Sequence, residues 1–273
     1  MKKILLATTI LGMTAGFAAA EVKVGGSAKA GLASADGGDF AAYSSVKITF
    51  AGSGVTDGGL EFGGSTDTTI GNKYDSLGDF DDESVIGSTG TGSWGVPTVF
   101  LSGSFGKISF SKNNLDFFDD ANGGGDVQYG YTAGDVTVGL VADLETSDYS
   151  ASLSASVGGV ALSVDADTYD LWNASAAYTS GPVTITLSAN EASVQKVKVA
   201  YSADGMSASA KFGTDDSWEI TGGYTAGALS LAILGNSSEY QEVTVSSDLG
   251  GGALIVAGAN NDQDMFAGLE LKF

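Results

Sequence analysis

The stretch YTSGPVTITLSAN, residues 178–190, alternates in polarity after a turn at Ser180-Gly181-Pro182: Val183, Ile185, Leu187 and Ala189 are apolar, and Thr184, Thr186, Ser188 and Asn190 are polar. Successive side chains of a strand point to opposite faces, so this segment has one apolar face and one polar face. The pattern recurs along most of the chain. It runs through EVKVGGSAKAGL from Glu21, SVKITF from Ser45 and GLEFGG from Gly59. From residue 125 it becomes a series of hairpins about Ala133-Gly134, Gly158-Gly159 and similar turns. Short, evenly spaced strands with Gly turns specify an all-β sandwich or barrel. No motif repeats residue for residue, as a propeller or solenoid would require. No useful helix-period segment follows Glu21.

The turns are of two kinds. TAGD, GG, TSGP, SADG and TAGA are short, whereas ASADGGDF, LETSD, TDDS, NSSEYQ and NNDQD are more polar and acidic. The longest connections are 67–96 and 112–125. Short turns at one end and longer loops at the other predict a transmembrane antiparallel up-and-down β-barrel. The pattern gives 16–18 strands, because the segment near 239–248 reads equally well as a loop hairpin.

Residues 1–20, MKKILLATTILGMTAGFAAA, have Lys2 and Lys3, a short apolar run and a small-residue end before Glu21. That predicts an export signal peptide followed by a single barrel domain over 21–273. Cysteine, histidine and arginine are absent, which removes disulfides, the common zinc sites and the Ser-His and Cys-His nucleophile systems. An enzyme is therefore disfavoured. With 33 acids against 12 lysines the formal charge is −21, and loss of Lys2 and Lys3 takes it to −23. A nucleic-acid partner is excluded on that charge.

Two features indicate that the apolar face meets lipid. Tyr131, Tyr178, Tyr201 and Tyr224 each lie just before a short turn on the apolar side of their strands. Amphipathic rings at one height predict an aromatic girdle at a membrane–water boundary. Alternation also puts Lys29, Lys47, Glu61, Lys196, Lys198 and Lys211 on the polar face, with Trp172 and Trp218 on the other. So many charges inside a barrel require a water-filled channel wall.

At the level of motifs, EVKVGGSAKAGL, DGGLEFGGS (57–65), VFLSGSFGKISF (99–110), SSDLGGGA (246–253) and the terminal LELKF resemble the general porins of Gram-negative bacteria, most closely the alphaproteobacterial type. The resemblance implies a homotrimer of sixteen-stranded barrels in the bacterial outer membrane. It also implies a constriction loop, with Lys29 and Lys47 on the wall opposite Asp116, Asp119 and Asp120. Opposed charges of this kind select solutes by charge and dipole. The 112–125 loop is shorter than the family's, so either the constriction is wider here or 67–96 helps to fill it. The closing Phe273 looks like the signal that such barrels present to the barrel-assembly machinery.

Acids concentrated in the longer loops predict one strongly negative rim and a mild cation preference. The clusters DFDDE and DFFDD offer carboxylates to Ca²⁺, but neither has the spacing of a Ca²⁺ loop, and no cofactor is expected. The reading that follows is a channel for passive diffusion of small hydrophilic solutes and ions. The rival is a secreted or surface-attached soluble β-sandwich, such as an adhesin or S-layer-like protein, which would purify without detergent.

Overall fold

The computed structural model describes residues 21–71, 90–116, 118 and 124–273. The leader 1–20, and Asp119 and Asp120, lie outside the described residues. The chain begins with β1 (Glu21–Ser34), β2 (Ala41–Val55), β3 (Glu61–Gly71), β4 (Gly90–Trp94), β5 (Thr98–Gly103) and β6 (Gly106–Leu115). It continues with β7 (Gly125–Ala133), β8 (Val136–Ala142), β9 (Tyr149–Val157), β10 (Val160–Asp167), β11 (Trp172–Ser180), β12 (Val183–Asn190) and β13 (Gln195–Ala203). It ends with β14 (Met206–Gly213), β15 (Trp218–Ala226), β16 (Leu229–Asn236), β17 (Gln241–Gly250), β18 (Ala253–Asn260) and β19 (Met265–Lys272).

Every strand pairs antiparallel with its neighbours, and β1 pairs with both β2 and β19, so the sheet closes on itself. Both β4 and β5 pair with β3, the one beside Thr68–Gly71 and the other beside Glu61–Ser65. They therefore share one place in the ring, interrupted at Gly95-Val96-Pro97. The 19 segments make an 18-stranded barrel, not the sixteen implied by family resemblance. The doubtful hairpin is part of the wall, since β17 pairs with β16 along 241–247 and with β18 along 242–250. A barrel of this size leaves an aqueous lumen that its own side chains cannot fill.

Burial separates this fold from a sandwich. Among the described residues the buried hydrophobic side chains are only Ala33, Tyr43, Leu115, Val141, Val256 and Phe266. Large apolar residues such as Leu153, Leu187 and Ile233 are about half exposed and all face outward. Two packed sheets would have buried them against each other at interior density. In a membrane barrel this outer surface meets acyl chains instead.

The short turns follow backbone chemistry. Ala203 pairs with Met206, leaving Asp204-Gly205 with φ of 53° and 75°, the two positive dihedrals of a type I′ hairpin turn. The opposite end is more compact than the sequence suggests. Five of its loops, at 168–171, 191–194, 214–217, 237–240 and 261–264, have four residues each. Side-chain caps make this tightness workable. Asp167 accepts the N–H groups of Tyr169 and Leu171, Asn236 those of Ser238 and Tyr240, Asn190 that of Val194 and Asn260 that of Asp264. Such Asx turns replace the backbone partners a longer loop would recruit. The long connections also shrink, because strands take 67–71, 90–94, 112–115 and 125.

Candidate functional site: the lumen

The inner wall collects the charged residues that alternation placed on the polar face. Lys29 on β1 lies 3.3 Å from Glu270 on β19, and Lys47 on β2 lies 3.0 Å from Asp67 on β3. Glu61 accepts a hydrogen bond from the Ser102 hydroxyl. Lys211 on β14 is 3.0 Å from Glu219 on β15, and Lys196 and Lys198 stand on neighbouring β13. The exposed Lys47–Asp67 pair contributes only about 0–1 kcal/mol, so its role is to set the field in the lumen, whereas Glu270 is buried beside Lys29.

The loop after β6 turns into the barrel. Leu115 packs on the inward Val141, and the Phe118 N–H points at the Ser150 hydroxyl, 3.4 Å away. Phe118 borders two recesses of the inner wall. One, of about 280 Å³, holds Asp116, Gln128, Ser152 and Asp165. The other, of about 340 Å³, holds Asn173, Ser188, Asn190 and Lys196. Asp116 therefore sits against the β7–β10 wall, while Lys29 and Lys47 have acids of their own on adjacent strands. Sequence reasoning did not single out Phe118, because it is one aromatic in an acidic loop and shows no periodicity.

It also overlooked a second apolar group, inside the barrel. Tyr43, Val256, Phe266 and Ala33 form a buried cluster across the β2–β1–β19–β18 seam. The Tyr43 hydroxyl lies directly over Gly31 and Gly268, and the Phe266 ring covers Gly258. Glycines at inward positions opposite aromatic residues were the available signal, since a ring can lie flat on bare backbone. The closure is completed by paired backbone hydrogen bonds between Gly26 and Phe273, of 2.8 and 3.0 Å.

On the outside, Tyr131, Tyr178, Tyr201 and Tyr224 are exposed near the short-turn end. Tyr149, Trp172 and Trp218 form an outward band near the other end. Strands of about nine residues at ~3.3 Å each, tilted ~40°, cover roughly 23 Å, close to the ~25 Å apolar band of such barrels.

At the long-loop rim, Asp143, Asp148 and Asp215 hold their carboxyls below the usual carboxylate range. The Glu145 backbone N–H is the main cause for Asp143. Hydrogen bonds from Thr146 and then Tyr169 do the same for Asp148, and the Ser217 hydroxyl does so for Asp215. These acids keep their charge at pH values where an ordinary carboxylate begins to lose it.

A closed barrel with an apolar exterior, two aromatic bands and a charged interior is a membrane channel of the porin type. The chain belongs to the Gram-negative porin family, which it matches over residues 7–269, and it is an outer-membrane protein. Its fold is similar to that of a triple-mutant form of Rhodopseudomonas blastica porin, at 14% identity and a TM-score of 0.59 over 93% of this chain and 100% of that one. It is also similar to OmpT of Vibrio cholerae in its trimer form, an outer membrane protein, at 12% identity and a TM-score of 0.56 over 93% and 99% of the two chains. At these identities the likeness is one of fold. No curated protein matches the sequence.

Proposed function

We propose that the protein is a general diffusion channel for small hydrophilic solutes and ions, without catalytic activity. The observation that carries this is the ring of polar and charged inward side chains enclosed by a continuous apolar exterior. Asp116 and Phe118 support a constriction formed by the loop after β6, with Lys196 and Asp165 on the wall around it. Lys29, Lys47, Glu61, Lys198 and Lys211 act as further wall charges. The tyrosines at 131, 178, 201 and 224 anchor the barrel at the lipid boundary.

We also propose a homotrimer. The outward face of β1–β3 mixes small residues, such as Gly26, Ala28, Ala30, Ser44, Gly52 and Gly64, with exposed apolar ones, such as Val24, Leu32, Phe50, Phe62 and Ile70, and carries none of the four girdle tyrosines. Its small residues let a second copy approach closely, and its apolar residues give such a contact area. The fold neighbour from Vibrio cholerae was solved as a trimer. In a planar bilayer the purified protein should give ohmic conductance steps grouped in threes. An absence of steps would remove the channel reading, and single independent steps would remove the trimer.

The acidic rim supports a mild cation preference. In a tenfold KCl gradient at pH 7, the reversal potential should report a cation-to-anion permeability ratio above one. As pH falls through the carboxylate range the acids neutralise while the lysines stay charged, so the ratio should drop and then invert below about pH 4. The depressed rim acids make that inversion late. Anion selectivity at pH 7 would overturn the assignment.

Phe273 supports recognition by the barrel-assembly machinery. Removing it should lower outer-membrane levels about tenfold or more in cells, an effect read from the heat-modifiable folded band of membrane fractions. Unchanged levels would count against that role.

A further inference from the structure

The β12–β15 wall holds an arrangement that a passive surface would not keep. Lysine is scarce in this chain, yet three of its lysines meet on adjacent strands inside the barrel. Lys198 on β13 is the direct cross-strand partner of Lys211 on β14, and Lys196 stands two residues along on the same face as Lys198. Like charges placed directly opposite each other destabilise a sheet. Glu219 offsets Lys211 at 3.0 Å. Lys196 and Lys198 have no ion pair within the described residues, although Asp215 at the rim feels the charge of Lys196.

The strand next to the two lysines supplies hydroxyl donors. Thr186 pairs with Lys198 and Ser188 with Lys196 across β12–β13, so their hydroxyls share the lumen face with the two ammonium groups. Ser209 and Thr221, bonded to each other at 2.8 Å, continue this hydroxyl surface. Ser188 and Lys196 also line the 340 Å³ recess bordered by Phe118, together with Asn173 and Asn190. Glu191 also lines that recess, with its carboxylate accepting the Trp172 backbone N–H.

We propose that this wall is a binding station for small tetrahedral oxyanions of the phosphate and sulfate class, a reading that rests on the lumen being water-filled. Two ammonium groups match a doubly charged anion. Hydroxyls on both sides offer donors to the remaining oxygens, which a planar carboxylate with two oxygens would use less fully. Free lysine ammonium groups exchange anions quickly, so the station concentrates the solute along the wall and still releases it. The negative rim and the positive wall then act in series. Monovalent cations gain at the mouth, and oxyanions that pass it are held further in.

The test is a titration of inorganic phosphate into detergent-solubilised folded protein at low chloride, followed by ³¹P line broadening, with phosphate block of single-channel current measured in parallel. Saturable broadening in the wild type is expected. The double variant K196Q/K198Q should raise the half-saturating phosphate concentration at least about tenfold, since each charge-assisted contact carries more than an ordinary hydrogen bond. K198R should retain binding, and the heat-modifiable band confirms that each variant is folded. Sulfate should compete with phosphate. No saturable broadening in the wild type, or broadening unchanged in the folded double variant, overturns the station. Conductance steps without phosphate binding would leave the channel reading intact, whereas binding without conductance would remove the channel reading alone.

Discussion

Leu153→Arg will destabilise the folded barrel in lipid vesicles by about 2–4 kcal/mol, while Ser154→Arg, one residue away, will change stability by less than about 0.5 kcal/mol. Both positions are exposed, and both lie near the centre of β9. They differ only in what they face. Leu153 pairs with Val138 and Val164 on the outer surface, and Ser154 pairs with Thr137 and Ser163 on the inner one. A guanidinium at the lipid midplane loses its hydration, whereas one in the lumen keeps it. Urea unfolding in vesicles of defined composition measures the difference. Equal effects at the two sites would mean that the outer face does not meet acyl chains, and the channel would fall with that result.

Phe266→Ala is expected to cost about 3 kcal/mol, at the low end of the range for deleting a buried ring. The ring is 3% exposed and packs with Tyr43, Val256 and Ala33 at the seam. Gly31→Val should be worse. A Cβ at Gly31 would press on the Ala267 carbonyl, the Gly268 Cα and the Tyr43 hydroxyl, all on facing strands of the closure. Two of these three are backbone, which cannot swing aside, so the β1–β19 ladder has to separate. An open barrel exposes unpaired strand edges that lipid cannot satisfy. The expected result is loss of the heat-modifiable folded form on gels for Gly31→Val, and a lowered urea midpoint for Phe266→Ala. Wild-type behaviour of both variants would show that the inner cluster does not secure the seam.

Much of this was legible from residue order. The alternation in VTITLSAN assigns each side chain to a face before any partner is known, because the strand period is a property of the backbone. The tyrosines of YTAG and YTSG mark the membrane boundary for the same reason, since their distance from the turn is fixed along a single strand. The strand count illustrates the limit. Residues 239–248 carry the same alternation whether they form wall or loop, and only pairing with β16 and β18 makes them wall. Polarity makes the rim loops look long in the sequence, but asparagine and aspartate caps allow four residues to suffice.

Residue order alone carries the class: a β-barrel with a lipid-facing exterior, a charged lumen and distinct ends. Local periodicity and turn chemistry carry that information. Which charges become neighbours depends on the closed ring. The pairing of Lys29 with Glu270, the stacking of Lys198 beside Lys211 and the fit of Tyr43 over Gly31 and Gly268 all depend on register and ring closure. Residues brought together in this way can lie more than two hundred positions apart in the chain, as Lys29 and Glu270 do, and no local pattern encodes such a meeting.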